Sequence, residues 1–409
     1  MAEELTAPEA AARLGIKRET LYAYVSRGLV TRTVAADGRT SLFDPAEIEA
    51  LRAGRQRTSE GMLETVVSTG LTKVADDALL IRGTRLVDEV AAGAGYADVV
   101  GLLWGCDDLS WQVPVEVLEA VAQTQTTLPR SARPIDRLRV SVSVMSALDP
   151  LLFDLSPMSV QRSGATLISA MVQGLPLKTE RGNGDDLASL LWPRLSSRPS
   201  TPRRCRALDV AMALLVDHGL ATSTFGARVA ASVRADPYSL VTAALGVVGG
   251  ALHGAASGAV QEMLESVANS RDIPAALGAV QRQSGTYPGF GHSVYRAVDP
   301  RFCGLMDVVR SGWPRDPRLE VVDAIADLVN MRTGLAPNVD LALGTLTWLG
   351  AMPRDAGEAI FAVSRTAGWL AHGIEEYTEP PLRFRPLARY VGPRGQHVEQ
   401  MGSAVAGLG

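Results

Sequence analysis

The sequence predicts a mainly α-helical protein with a small, separate unit at its N-terminus. Beyond residue 80, apolar side chains recur at three- and four-residue spacing, which is the periodicity of amphipathic helices. Residues 1–58 show a different pattern of short helices and β-like runs, and a polar stretch over 59–68 follows them. The length of 409 residues suffices for two or three domains with a sizeable core.

The composition is that of a soluble globular chain. It has 46% hydrophobic and 21% charged residues, which excludes wholesale disorder, and a net charge of −4, which argues against bulk binding to nucleic acid or anionic membranes. Three cysteines without CxxC or Cys–His spacing predict neither a disulfide framework nor a metal site. The start has no signal-peptide pattern, and the uncharged stretch 238–261 is typical of a buried helix followed by a Gly-rich turn. A cytoplasmic protein without membrane contact is therefore expected.

The N-terminal residues 1–58 are predicted to form a winged helix-turn-helix. Thr6 and Glu9 make a capping box that begins a helix ending near Leu14. Gly15 provides the turn into the second helix. The later elements are a helix over 18–27 ended by Gly28, β-like runs over 30–35 and 40–43 around Asp37-Gly38, and a helix from the capping box at 44–47 through Arg57.

This segment resembles the N-terminal module of MerR-like regulators and excisionase-type DNA-binding proteins, through residues 5–16, residues 20–30 and Asp44-Pro45. The resemblance implies that DNA would be contacted by Lys17, Arg18, Tyr22, Arg27 and Arg39. Residues 1–58 carry nine basic and eight acidic side chains, a net charge of +1, whereas DNA-binding modules are usually decidedly basic. DNA is therefore a possible partner that the charge does not favour, and a protein-interaction module is the other interpretation.

The rest of the chain is predicted to be helical with one β-ribbon. The ribbon is expected over 69–81, and residues 178–205 are expected to form a loop around one short helix near 186–191. The segments with helical periodicity are Asp88–Leu103, Val115–Thr126, Asp136–Leu148, Ser159–Gln173, Ala207–Gly219 and Gly357–His372.

Candidate chemistry centres on three of the five histidines and one aspartate. His253 lies among small residues that allow a backbone or ligand to approach. His292 follows a Gly-rich turn and precedes two arginines suited to carboxylate or phosphate. His218 ends an apolar helix, and Asp340 precedes another. Taken singly, such a histidine is more often structural and such an aspartate is more often a helix cap.

Together these segments resemble the citrate synthase and 2-methylcitrate synthase family, over about residues 63–392. The matching blocks are His253-Gly-Ala-Ala, Gly289–Arg301, Pro337-Asn-Val-Asp340, Ala362–His372 and Arg385-Pro386. The resemblance implies a citrate synthase-like two-domain helical fold behind the winged helix-turn-helix. A large helical domain would comprise 59–253 and 346–409, and a small one, 254–345, would close over the active-site cleft.

The resemblance also implies a reaction, in which an acyl-CoA (acetyl-CoA or propionyl-CoA) condenses with a 2-oxo dicarboxylic acid such as oxaloacetate, as in the tricarboxylic acid cycle. Acyl-CoA is then a substrate, and neither a cofactor nor a metal is needed. In this scheme Asp340 is the general base, His253 donates to the enol oxygen and His292 polarises the ketone.

The same resemblance implies the binding residues. Those for the acceptor are His218, Arg301, Arg365 and Arg385, and those for CoA are Arg296, Gly289 and Gly291. Arg385 would enter the site from the other subunit of a homodimer. His372 is assigned only a structural role.

The chain departs from the family pattern around the acceptor. Leu215, Gly219, Ala221 and Ser257 stand where the family often has polar side chains, which puts the choice of 2-oxo acid in doubt more than the chemistry. Two other interpretations stay open. The body could be a metabolite sensor that regulates transcription through residues 1–58, or residues 1–58 could serve assembly alone.

Overall fold

The structure is a computed structural model that describes residues 5–26, 30–35, 40–49, 66–75, 77–250, 253–254, 256–292, 294–295 and 298–386. The chain forms two compact units, one within Met1–Ser68 and the other within Thr69–Gly409. Each unit buries its own apolar core.

The N-terminal unit combines short helices with a three-stranded antiparallel sheet. Its elements are β1 (Leu5–Thr6), α1 (Ala7–Leu14), α2 (Arg18–Ser26), β2 (Thr33–Val34), β3 (Ser41–Phe43) and α3, described over 45–49. The strand order is β1-β3-β2, and β1 was not predicted. The core is small because the helices are short, and it centres on Ala10, Leu21, Phe43 and Ile48.

Local signals in this unit behave largely as predicted. The Glu9 carboxylate accepts hydrogen bonds from the Thr6 backbone N–H (2.8 Å) and the Thr6 hydroxyl (2.6 Å), which confirms the first capping box. The second box is wrong in one half, because Glu47 accepts instead from the N–H and hydroxyl of Thr31 (2.7 and 3.0 Å). The predictions for Arg27, Gly28, Asp37-Gly38, Arg39 and residues 50–58 lie outside the described residues.

The larger unit begins with the predicted β-ribbon and is otherwise mainly helical. Its strands are β4 (Thr72–Ala75), β5 (Ala78–Ile81) and β6 (Thr84–Arg85), and β5 pairs with both others in antiparallel fashion. Its helices are α4 (Leu86–Ala91), α5 (Tyr96–Trp104), α6 (Val115–Thr126), α7 (Pro134–Leu148), α8 (Pro157–Gln173), α9 (Leu187–Leu195), α10 (Pro202–Leu215), α11 (Thr222–Ser232), α12 (Pro237–Val248), α13 (Ala256–Ala268), α14 (Ile273–Ser284), α15 (Pro300–Gly312), α16 (Arg318–Thr333), α17 (Val339–Leu349) and α18 (Ala356–Tyr377).

Three helix predictions need correction. The segment 88–103 forms two helices, α4 and α5, because Gly93 adopts a positive φ of 114° and breaks the periodic pattern. The predicted loop over 178–205 contains a longer helix, since α9 continues through Pro193, and α10 starts at Pro202 rather than 207. The helix predicted to reach Gly219 ends at Leu215, which places His218 in a loop.

Helix α18 organises the interior of the larger unit. It packs against α8, α10, α11 and α12, and most of its 22 residues are buried. Its Phe361, Arg365, Gly368 and His372 recur at three- and four-residue spacing and therefore share one face. This face lies against the loop between α10 and α11, so one helix supports several of the predicted site residues.

Among the described residues, no helix combines the length and apolarity needed to cross a membrane. Within the same residues, no group of three or more histidine, cysteine or acidic side chains is placed to hold a metal ion.

Candidate active site

His218 and His292 lie side by side, although they are far apart in the sequence. Their ring centroids are 5.2 Å apart in an edge-on arrangement, and His218 Nε2 is 3.0 Å from the Tyr295 hydroxyl oxygen. The Tyr295 ring also packs against His292, with 4.6 Å between the centroids. Burial, together with the nearby cations Arg301 and Arg365, lowers the pKa of His218 to about 2. His218 is therefore neutral at physiological pH.

The hydrogen bonds of His292 fix its tautomer. Its Nδ1 accepts from the backbone N–H groups of Val294 (3.0 Å) and Tyr295 (3.3 Å), so in the neutral ring the proton is on Nε2. Burial and the neighbouring Arg301 lower the pKa of His292 and favour this neutral form. His292 consequently offers one N–H donor on the side of the ring away from the backbone.

The glycine turn before His292 is tied to the segment before Asp340. The Gly291 N–H donates to the Ala336 carbonyl (2.8 Å), the Asn338 N–H to the Gly289 carbonyl (2.9 Å), and the Asn338 side chain to the Gly291 carbonyl (2.8 Å). Gly289 has a φ of 83°, and a Cβ there would lie 2.9 Å from the Leu341 Cβ. Two of the blocks singled out in the sequence thus form one rigid piece of backbone.

Asp340 lies in the first turn of α17. The Asn338 side chain accepts a hydrogen bond from the Asp340 N–H (2.9 Å) and caps the helix. Burial raises the pKa of the Asp340 carboxyl; Asp299 adds to the shift, while Arg301 and Arg365 oppose it. The Asp340 carboxylate is therefore a stronger base than an exposed aspartate.

His253 is held by two groups that the sequence analysis did not identify. Its Nε2 is 2.9 Å from the Ser223 hydroxyl oxygen, and the Trp369 indole N–H also donates to this oxygen (3.3 Å). The Phe361 ring stands edge-on to His253, with centroids 5.7 Å apart. Burial and Arg365 lower the pKa of His253, so this histidine is also kept neutral.

The two buried arginines of the site differ in their partners. Asp299 holds Arg301 in a bidentate pair (3.0 and 2.8 Å). Arg365 is 2% exposed, and its Nε donates to the Leu215 carbonyl (2.8 Å). Its Nη1 has no hydrogen-bond partner, and its guanidinium lies over the Phe361 ring at 4.6 Å. Burial lowers the pKa of Arg365 to about 10, which leaves it charged at neutral pH.

The structure therefore links six of the predicted residues, because the charge of Arg301, of Arg365 or of both acts on each of the other four, His253 being reached by Arg365 alone. These residues, which we term the histidine–arginine cluster, are His218, His253, His292, Arg301, Asp340 and Arg365. Arg385 is exposed and is not among the described contacts of this cluster. Arg296 lies outside the described residues. Gly289 and Gly291 contribute through their backbone.

Sequence reasoning missed Ser223, Tyr295, Phe361 and Asp299 as partners of the cluster. Tyr295 and Asp299 stand within the block 289–301, so their places were visible but their contacts were not. Ser223 and His253 are 30 residues apart, and no local pattern links them. Phe361 shares its helix with Arg365 at a spacing of one turn, a signal that could have been used.

The neutral state of His218 predicts a pH effect on stability. Because its pKa in the folded chain is about 2, against 6.5 for a free imidazole, the unfolded chain binds the extra proton below pH 6.5. As the pH is lowered below 6.5, this group should therefore reduce the free energy of unfolding by up to about 1.4 kcal/mol per pH unit. Urea unfolding of wild type and His218→Asn between pH 7.5 and 5 should show a shallower fall in the variant. Parallel curves would contradict the assignment.

The larger unit is similar to known proteins over most of its length. The family described as "Citrate synthase, C-terminal domain" matches residues 61–387. Citrate synthase of Haloferax volcanii is 32% identical over 83% of this chain and 96% of its own. 2-Methylcitrate synthase 2 of Corynebacterium glutamicum is 27% identical over 81% of this chain and 93% of its own.

Among solved structures, the chain is similar to citrate synthase of Thermoplasma acidophilum in its ternary complex with carboxymethyl coenzyme A and oxaloacetate. The two share 25% identity with a TM-score of 0.67, over 81% of this chain and 95% of the other. The fold, the cluster and these relatives define a condensing enzyme of the citrate or 2-methylcitrate synthase type, which is an acyltransferase. The chain belongs to the citrate synthase family.

Proposed function

We propose that the enzyme condenses acetyl-CoA or propionyl-CoA with a 2-oxo dicarboxylic acid such as oxaloacetate, giving citrate or 2-methylcitrate and CoA. The observation that carries this proposal is Arg365, a buried cation whose Nη1 lacks a partner. Asp217 and Asp340 act on its charge from nearby, but Nη1 has no hydrogen-bond acceptor, and a substrate carboxylate matches the planar donors of a guanidinium. Arg301 and His218 lie in the same cluster, so the acceptor's carboxylates are proposed to bind there.

In the first step, Asp340 removes a proton from the carbon next to the thioester carbonyl. Its raised pKa supports this role, because a base works best when its pKa lies nearer the pH of the reaction. The electron pair moves onto the thioester oxygen, where His253 donates a hydrogen bond. We assign the His253 proton to Nδ1, since the Ser223 hydroxyl, which already accepts from Trp369, can donate its own proton to Nε2.

In the second step, the enol carbon attacks the ketone carbon of the acceptor and forms the new carbon–carbon bond. His292 polarises the ketone oxygen through Nε2–H, the nitrogen that its backbone hydrogen bonds leave as the donor. Water then cleaves the thioester of the condensed product, which releases CoA and a new carboxylate. The reaction needs no cofactor, because the acyl-CoA supplies the activated carbon.

The remaining assignments belong to the same proposal. The turn containing Gly289 and Gly291, with Arg296, would hold the CoA nucleotide. The helical body would divide into a large domain (59–253 and 346–409) and a small domain (254–345) that closes to exclude water from the enol. Because Arg385 is exposed and stands apart from the cluster, we propose that it reaches the site of a second copy in a homodimer. We place this enzyme in the cytoplasm.

A steady-state assay tests the proposal. The purified full-length protein is mixed with each acyl-CoA and oxaloacetate, and the released thiol is followed with a colorimetric reagent. Release of CoA that depends on both substrates is expected. No release with either donor, at high enzyme concentration and saturating substrate, would exclude the condensing function for these substrates.

A second function, metabolite-dependent regulation of transcription, is supported by the separate N-terminal unit. This unit is compact by itself, and its helices α1 and α2 are followed by the strand pair β2–β3, as expected of a winged helix-turn-helix, although β1 precedes α1 and joins the same sheet. It predicts DNA binding that changes on adding acyl-CoA or citrate and weakens steeply between 50 and 200 mM salt. Fluorescence anisotropy with full-length protein and the Lys17→Glu, Arg18→Glu variant tests this. Equal weak binding by both proteins would leave assembly as the role of residues 1–58.

A further inference from the structure

A network of buried, hydrogen-bonded polar and charged side chains runs through the larger unit beside the histidine–arginine cluster. Arg383 donates to both carboxylate oxygens of Glu376 (2.6 and 2.5 Å), and Arg228 donates to the same carboxylate (2.9 Å). Arg228 also donates to His372 Nδ1 (3.0 Å), and His372 Nε2 is 3.4 Å from Asp217. Four of these side chains are fully buried, and Arg383 is partly exposed.

The donors and acceptors in this network can be assigned at each hydrogen bond. Arginine has only donors, so His372 Nδ1 must accept, and the ring proton is on Nε2, where it faces Asp217. The same Asp217 oxygen accepts from the Thr72 hydroxyl (2.7 Å) and the Gly219 N–H (3.1 Å). Burial alone would raise the pKa of Asp217, but the His372 N–H, the nearby Arg365 and the Thr72 hydroxyl outweigh it and lower the pKa. Asp217 is therefore ionised throughout the neutral range.

The network ends at Asp217, in the loop that carries His218 as its next residue. The loop is also held by the Leu215 carbonyl, which accepts from Arg365 Nε (2.8 Å), and by Gly368, where any Cβ would clash with the Val216 carbonyl oxygen. The contacts on α18 therefore fix both His218 and the guanidinium of Arg365. A shift of the loop would move both acceptor contacts together.

Stability alone explains this arrangement poorly. Replacing buried ion pairs by well-packed apolar side chains is often neutral or stabilising, so such pairs are weak evidence for a role in stability. Here every side chain is hydrogen-bonded to the next, with only Asp217 Oδ1 lacking a partner, and Asp217 lies next to a candidate substrate-binding residue. The arrangement is typical of residues that lie behind the substrate-binding side chains and hold them in position to within a fraction of an ångström.

We propose that Asp217 and His372 are positioning residues, which hold the loop 215–219 so that His218 and Arg365 are ready to bind the acceptor. At its other end, the same network includes Arg383, which lies two residues before Arg385. The assignment rests on the proposed function in one respect, since it takes His218 and Arg365 as acceptor contacts. His372 is thus more than the structural residue that the sequence analysis expected.

The kinetic test uses substitutions at Thr72 and Asp217. Thr72→Val removes the hydroxyl that donates to Asp217 with little change in size, and Thr72→Ser keeps it. Asp217→Asn removes the charge. We expect the KM for the 2-oxo acid to rise about tenfold in Thr72→Val and Asp217→Asn, and the KM for acyl-CoA to change less than about twofold. Thr72→Ser should restore the wild-type value, and a Thr72→Val variant with an unaltered KM for the 2-oxo acid would overturn the proposal.

A second measurement does not depend on catalysis. Hydrogen–deuterium exchange of the substrate-free protein should be faster at residues 215–222 in Thr72→Val and Asp217→Asn, unchanged there in Thr72→Ser, and unchanged in α6 in all three variants. If wild type shows no turnover but this local effect appears, the proposed function fails and the positioning role stands. Unaltered exchange at 215–222, or exchange raised equally in α6, would overturn the positioning role. If Asp217→Asn does not fold, the comparison of Thr72→Val with Thr72→Ser decides between these outcomes.

Discussion

Replacing Asp340 with asparagine is expected to lower kcat by about 10³-fold while leaving the protein folded. Asparagine keeps the size of the side chain, and the Asn338 cap on the Asp340 N–H is a backbone contact that the change does not touch. What disappears is the basic oxygen that would take the proton from the acyl-CoA. Steady-state release of CoA, with circular dichroism on the same samples, measures both parts of this expectation.

The pH dependence sharpens this test. Burial raises the pKa of Asp340 above its usual 3.8. The activity of wild type should therefore decrease as the pH is lowered through that raised pKa, because the base becomes protonated. The same shift means that the protonated form is favoured in the folded chain, so Asp340 contributes stability at low pH that is lost as pH rises through its pKa. An uncharged asparagine should therefore be at least as stable as wild type at pH 7.

A matched control is Asp323→Asn, which changes an exposed aspartate paired with Arg310 on the protein surface. Its turnover should stay within about twofold of wild type, since an exposed pair contributes little. If Asp340→Asn retained a tenth or more of the wild-type kcat, Asp340 would not be the base, and the mechanism would need another proton acceptor.

The sequence predicted those parts of the fold that depend on local patterns. Helix α6 was predicted residue for residue, because its apolar periodicity is uninterrupted and Pro114 precedes its first turn. The separation of α4 from α5 was missed, because the pattern continues across Gly93 and only the backbone conformation breaks it. In the same way, His218 was placed on a helix that stops three residues earlier.

The site shows the same division between local and distant information. The motif blocks identified the cluster residues one by one, but their partners lie far away along the chain. Ser223 meets His253 across 30 residues, and Asp217 meets His372 across 155. His372 therefore looked like an ordinary helix residue, since nothing near it in the sequence reveals a buried arginine and a buried carboxylate on its two nitrogens.

Arg365→Met is expected to separate binding from stability. The KM for the 2-oxo acid should rise about 100-fold, because charge-assisted hydrogen bonds to a carboxylate contribute about 1.5–3 kcal/mol each. The free energy of unfolding should stay within about 1 kcal/mol of wild type, because removal of a costly buried charge offsets the lost contacts with Phe361 and the Leu215 carbonyl and the lost attraction to Asp217. Steady-state kinetics and urea unfolding give the two values.

Arg228→Met is the comparison that makes this result interpretable. Arg228 is as buried as Arg365, but it is paired with the half-buried Glu375 and the buried Glu376, so its loss leaves Glu376 with only the partly exposed Arg383 as a cationic partner. Breaking such a pair costs about 3–5 kcal/mol, and Arg228→Met should be less stable than Arg365→Met by at least about 2 kcal/mol. Equal destabilisation would mean that the charge of Arg365 is already balanced within the fold. In that case no carboxylate of a substrate would be needed to complete it, and the argument for an anionic acceptor would lose its main support.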